Sequence, residues 1–227
     1  MLYIVGTPIG NLNDLTYRQA RTIAAAEIIL AEDTRSAGIL LEKITQTYPV
    51  SRPASRRVIS YYKEREFEKL PEILNWLAEE KEVVLISESG MPTICDPGNL
   101  LIQTVIKRKL PFTVVPGPTA VMTAVVCSGF PGKQVFFLGF LPKRAGELRK
   151  LLDKVLKIKQ IAPATIFVAY ESPFRCKMTL TIIGELIPQA EVCLCREMTK
   201  KFEEVIRGKA IELKTRDYKG EITLVFQ

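Results

Sequence analysis

Apolar and polar positions in the first half of the chain switch repeatedly between two periods. Five short apolar runs, Leu2–Gly6, Glu27–Ala31, Arg57–Tyr61, Glu82–Ser87 and Phe112–Val115, have the length and composition of strands. Between them Leu15–Ala26, Gly38–Ile44, Phe67–Glu79 and Leu100–Lys109 carry the helical spacing. This alternation predicts an α/β fold, a mainly parallel sheet with helices on both faces. Pro116-Gly117-Pro118 breaks the pattern, and a helix of small residues, Thr119–Ser128, is expected after it. We therefore expect an N-terminal α/β domain over 1–117 and a C-terminal α/β domain over 118–227. In the second half a strand at Val135–Phe140 precedes a helix with a buried stripe of Leu148, Leu151, Leu152, Val155 and Leu156. A strand at Thr165–Tyr170 and a helix at Phe174–Ile187 follow. The last three strand-like runs, Val192–Glu197, Glu203–Arg207 and Glu221–Phe226, predict a mixed sheet with at least one antiparallel hairpin. Residues 47–57, with Pro49 and Pro53, read as a mobile surface loop.

Composition removes several function classes. The 227 residues contain no histidine, which excludes Ser-His and Cys-His nucleophiles and most zinc sites. No metal is expected. Five cysteines without a CxxC pair read as buried free thiols of a cytoplasmic protein. No uncharged apolar run approaches the ~18 residues of a membrane span, and the start reads as a strand rather than a targeting segment.

Charge is unevenly placed. Residues 1–117 balance 14 basic against 14 acidic side chains, whereas 118–227 hold 18 against 11, so the whole excess of +7 lies in the second half. It is densest from Lys143 to Lys159, where Lys150, Lys154 and Lys157 share one helix face. Such a face suits a polyanion, and equally suits solvent.

Loops at strand ends carry the candidate chemistry. Val5-Gly6-Thr7-Pro8-Ile9-Gly10-Asn11-Leu12 turns sharply after the first strand, but Pro8 has no N–H to offer a pyrophosphate. An uncharged or cationic ligand fits this turn better. Ala31-Glu32-Asp33-Thr34-Arg35 puts two adjacent acids at the end of the second strand. They suit a base or hydroxyl-holding role, or else Asp33 or Thr34 caps the next helix and Arg35 neutralises the pair. The loop from Ser87 through Glu88 and Met91 to Gly98 is long and rigid, and the Pro116–Ala120 turn enters a helix. In the second half Tyr170-Glu171-Ser172-Pro173-Phe174-Arg175 ends a strand, and Cys195–Glu204 places alternating charges between two others.

Taken in order, GTPIGNLxDLT, AEDTR, the Ser-x-x-Gly-x-Pro…DPG loop, PGPTA, GFLPKR, YESPFR, REMTKKFEE and the closing KGEI strand resemble one family across essentially the whole chain. That family is the RsmI group of 16S ribosomal RNA cytidine 2′-O-methyltransferases, within the tetrapyrrole methylase superfamily of class III S-adenosylmethionine enzymes. The resemblance implies two α/β domains with S-adenosylmethionine in the cleft between them, a homodimer, and 16S rRNA or the 30S subunit as substrate. It places the cofactor against Pro8, Glu88, Met91, Thr119 and Ala120, with Phe167 or Tyr170 and Arg196-Glu197 from the second domain. Arg35, Lys143, Arg144 and Arg175 are its candidate RNA contacts. The chain departs from the group's usual Asp-Ala-Gly-Thr-Pro at Glu88–Pro92, and from a usual His and Asn near Glu64 and Arg65. It also stops at Gln227, without the C-terminal helical extension of longer members.

For ribose methylation the attacking hydroxyl needs a proton acceptor, which without histidine is a carboxylate, a lysine or solvent. Glu32 and Asp33 are the candidate catalytic residues. A tetrapyrrole or other small-molecule acceptor is the alternative reading, and a cofactor-binding protein without activity is a third.

Overall fold

The computed structural model describes residues 1–51 and 53–227. Arg52, within the loop expected at 47–57, lies outside the described residues. The chain divides into two compact units, Met1–Thr119 and Ala120–Gln227.

In the first unit the strands are β1 (Leu2–Val5), β2 (Ile28–Ala31), β3 (Arg57–Ser60), β4 (Val83–Ile86) and β5 (Phe112–Val115). They form a wholly parallel sheet in the order β3-β2-β4-β1-β5. The helices are α1 (Tyr17–Ala25), α2 (Thr34–Thr47), α3 (Glu66–Ala78) and α4 (Asn99–Lys107). Alternate side chains of each strand feed opposite cores. Val5, Ile29, Ala31, Val84 and Ile86 pack with Ala20, Ile23, Leu40 and Ile44 of α1 and α2. Leu2, Ile4, Ile28, Leu30, Val83 and Leu85 pack with Ile73, Leu77, Leu101 and Val105 of α3 and α4. Burial on both faces is why these strands read as continuous apolar runs rather than alternating ones. Thr16 starts α1 with a capping box to Gln19.

The second unit contains α5 (Ala120–Ser128), β6 (Gln134–Phe140), α6 (Ala145–Ile161), β7 (Thr165–Glu171), α7 (Pro173–Leu186), β8 (Glu191–Arg196), β9 (Glu204–Lys209), α8 (Ala210–Leu213) and β10 (Ile222–Phe226). Its sheet runs β6-β7-β10-β8-β9. Only β6 and β7 are parallel; β8 and β9 form the expected hairpin. Phe167, Leu194, Leu224 and Phe226 pack on Leu148, Leu152 and Val155 of α6 and on Leu180 and Ile183 of α7. Helix α5 packs against β7, β8 and β10.

Two details depart from the sequence reading. Helix α2 extends over Thr34–Thr47, beyond Gly38–Ile44, because Asp33 caps it one turn earlier. The cysteines are free, but only Cys176, Cys193 and Cys195 are buried; Cys127 is half-buried and Cys95 is exposed in the loop after β4. Among the described residues no helix is long and apolar enough to cross a membrane.

Candidate active site

The carboxyl ends of the five parallel strands share one edge of the first sheet. There β1 connects to β2 on one side, while its neighbour β4 connects past it to β5 on the other. Adjacent strands whose connections diverge leave a crevice at their carboxyl ends, where α/β sheets bind ligands. Two backbone hydrogen bonds join the loops at this point: Thr7 N donates to Gly90 O at 2.8 Å and Gly90 N to Thr7 O at 3.2 Å. The Ser87 hydroxyl also donates to Gly90 O at 3.0 Å, and Pro8 is buried beside the bridge.

The loop after β5 closes on the same point. A Cβ on Gly6 would lie 2.6 Å from Met91 Sδ and 2.7 Å from Gly117 Cα, so only glycine fits where the two backbones meet. Gln19, fully buried on α1, ties them: its Nε2 donates to Gly6 O at 2.8 Å and to Pro116 O at 3.2 Å. Sequence reasoning missed Gln19. Its available signal was the Thr-x-x-Gln capping box, which explains the side-chain oxygen but not the two carbonyls beneath the amide.

Four carboxylates stand around the strand ends: Glu32 after β2, Glu64 after β3, and Glu88 and Asp96 in the loop after β4. Desolvation, then the charges of Glu88 and Glu64, hold the Glu32 carboxyl above the ordinary range. Desolvation first, then Glu32 and Glu88, push half-buried Asp96 up to about 6. No hydrogen bond or ion pair engages Glu32, Glu64 or Glu88 among the described residues. Nor do three acidic or thiol groups there converge in a way that could hold a metal ion. The acids therefore act on one another as a field. Asp96 and Glu64 were visible as residues of their loops, but their coupling to Glu32 was not.

Asp33 differs from its neighbour. Its carboxylate caps α2 by accepting from Arg35 N at 2.7 Å, and it also accepts from the Arg35 guanidinium at 3.3 and 3.4 Å. The backbone bond from Arg35, followed by the side-chain bond, holds Asp33 below its ordinary pKa. That makes it a helix cap and a poor proton acceptor. Arg35, although exposed, is turned back onto it. Deeper in the unit, Glu66 accepts from Gly98 N and, at 3.3 Å, from the Tyr61 hydroxyl, which anchors the end of the Asp96 loop.

In the second unit the candidate residues fall into separate environments. Tyr170 is half-buried with its ring 5.1 Å from Phe137 and 5.2 Å from Phe140. Phe167 is a fully buried core residue stacked at 5.5 Å on Phe226. Arg196 bonds Glu204 and Lys219 O, both at 3.2 Å. Glu197, at φ 49°, accepts from Glu221 N at 2.8 Å, so both residues brace the strand ends. Arg175 pairs at 2.7 Å with Glu171, whose buried carboxylate also accepts from Ser172 N at 2.6 Å and from the Thr179 hydroxyl. This internal ion pair occupies the side chain that the sequence offered to RNA. Lys143 and Arg144 are exposed just before α6, with Arg144 3.7 Å from Glu147. Thr119 ends the first unit and Ala120 opens the second.

The model of the tetrapyrrole (corrin/porphyrin) methylases matches residues 1–214. The chain belongs to the tetrapyrrole methylase family. Within it, the ribosomal RNA small subunit methyltransferase I of Thermotoga maritima is 41% identical over 228 residues, covering 99% of this chain and 96% of the relative. The protein of that name from a Hydrogenobaculum species is 38% identical, covering 99% and 94%. A crystal structure of uroporphyrin-III C-methyltransferase from Thermus thermophilus, complexed with S-adenosylhomocysteine, superposes with a TM-score of 0.62 at 17% identity, covering 99% and 96%. At that identity the similarity speaks for the fold. In this methylase the glycine contact and the Gln19 tie join the loops after β1, β4 and β5 on the same carboxyl edge of the sheet along which the four carboxylates stand.

Proposed function

We propose that this chain is an S-adenosylmethionine-dependent methyltransferase that methylates the ribose 2′-oxygen of a cytidine in 16S ribosomal RNA. The observation that carries the reaction is the unpartnered Glu32 carboxylate among Glu64, Glu88 and Asp96, on the strand edge beside the divergent loops. The RNA acceptor is supported by the relatives at 41% and 38% identity, both of which are named ribosomal RNA small subunit methyltransferase I.

The residues present fit the cofactor. It carries a sulfonium and an ammonium, and four acids around one edge suit a cationic ligand. The Gly6–Gly117 approach holds the loops after β1 and β5 together at this edge, and exposed Glu88 has its carboxylate available. When bound, S-adenosylmethionine supplies a methyl group already activated for in-line displacement. Pro8, Glu88, Met91 and Thr119 are the proposed holding residues. Glu32 accepts the proton of the attacking hydroxyl; its raised pKa makes it a better acceptor than Asp33, with a placed base worth about 10²–10⁴ in rate. Asp33 keeps α2 and Glu32 in position through its cap. We further propose that the enzyme works as a homodimer in the cytoplasm, on rRNA or the 30S subunit.

The test is methyl transfer from labelled S-adenosylmethionine to unmodified 30S subunits, followed by mass spectrometry of nucleosides from the digested 16S RNA. A gain of 2′-O-methylcytidine is expected. Cofactor binding with no label in RNA would overturn the acceptor assignment and direct attention to a small molecule.

A further inference from the structure

Helix α6 carries charge that the fold leaves unanswered. Its buried stripe, Leu148, Leu152 and Val155, has the spacing i, i+4, i+7. Lys150, Lys154 and Lys157 repeat that spacing two residues later, which places them about 200° round the helix, opposite the core. All three are exposed. The neighbouring cations are occupied: Arg144 by Glu147 and Arg149 by Glu185. Among the described residues neither these three lysines nor Lys143 forms an ion pair, although Asp153 stands four residues before Lys157. A solvated face of mixed charge closes such i, i+4 pairs; this one presents ammonium groups to solvent.

We propose that the outward face of α6 is a docking surface for the phosphate backbone of RNA. This inference rests on the ribosomal-RNA reading of the site. The reason is electrostatic. Glu32, Glu64, Glu88 and Asp96 favour a cationic cofactor and repel phosphate, so a polyanionic substrate needs its attraction elsewhere. From Lys150 to Lys157 the helix rises about 10 Å, a length over which one duplex strand presents about three phosphates. Lysines are point charges without the planar fork that reads bases, so this face sets affinity and leaves the choice of nucleotide to the reaction site.

The experiment compares the full chain with a Lys150→Ala/Lys154→Ala/Lys157→Ala variant. A control, Arg21→Ala/Lys107→Ala/Arg108→Ala, removes three exposed charges from the first unit. Binding of each to unmodified 30S subunits is measured across a salt series, alongside cofactor affinity and methyl transfer at saturating 30S. Alanine favours helix, and far-UV circular dichroism checks that α6 is kept. The α6 variant is expected to lose about 2–3 units from the slope of log affinity against log salt, at 0.7–0.9 per phosphate contact. Its 30S affinity should fall at least tenfold, while kcat, cofactor affinity and the control's slope stay unchanged. A wild-type slope and affinity in the α6 variant would overturn the proposal, as would wild-type binding with no salt dependence. Salt-dependent binding that weakens in the α6 variant, with no methyl transfer by the wild type, would overturn the reaction reading and support the docking surface.

Discussion

Glu32 and Asp33 are adjacent in sequence, yet their surroundings assign them different work. Glu32→Gln is expected to lower kcat about 10²–10⁴-fold, with a far smaller loss of cofactor affinity, as read by label transfer and calorimetry. Asp33→Ala should instead lower the melting temperature through loss of the α2 cap and retain more turnover. Asp96 titrates near 6, above its ordinary value, because burial and its acidic neighbours disfavour the charged form. Its contribution to stability is therefore full below about pH 4 and is lost as pH rises through about 6. Asp96→Asn should raise the melting temperature at pH 8 and change it little at pH 4. Glu88→Gln should move the Asp96 titration, followed by NMR, to lower pH. The presence of acids at these positions was legible in the sequence. Which of them were capped and which were coupled was not, because hydrogen bonding and mutual field depend on distances between separate loops.

At the scale of elements, most strand and helix positions were readable because both faces of the first sheet and one face of most helices are buried, which imposes a clear apolar pattern. Short α8 escaped, since four residues carry too little periodicity. Gln19 escaped for another reason: a buried amide has no pattern of its own, and its role came from two carbonyls brought beneath it by other strands. Gln19→Ala leaves the buried Gly6 carbonyl without that donor and is expected to cost about 1–3 kcal/mol, measured by urea unfolding. Gly6→Ala should be comparably harmful, since its Cβ would meet Met91 Sδ at 2.6 Å. In the second unit, Glu171→Ala strips the partner from Arg175 and is expected to cost about 3–5 kcal/mol. YESPFR displayed these residues as a site-like strand end. Only the folded helix showed that Arg175, four residues on, turns back to neutralise Glu171.

At the scale of the whole molecule, the balanced first half stands four of its 14 acids along one sheet edge, and the basic second half leaves α6 lysines open to solvent. The two ligands should accordingly respond differently to salt. Raising salt from about 50 to 200 mM is expected to weaken 30S binding by tens of times if three phosphate contacts contribute. Binding of the small cationic cofactor should change by only a few fold, and equilibrium titrations at both salts check the contrast. The sequence by itself determined the α/β class, the order of strands and helices, the methylase resemblance and the location of the excess charge. These follow from local periodicity and from motifs, each contained within a few neighbouring residues. Tertiary structure alone decided that Glu32 stays unpartnered while Asp33 caps a helix, that Gln19 binds two loops together, and that Arg175 is held inside. Those outcomes depend on groups from distant parts of the chain meeting within hydrogen-bond range or within one low-dielectric region, and no local pattern encodes that meeting.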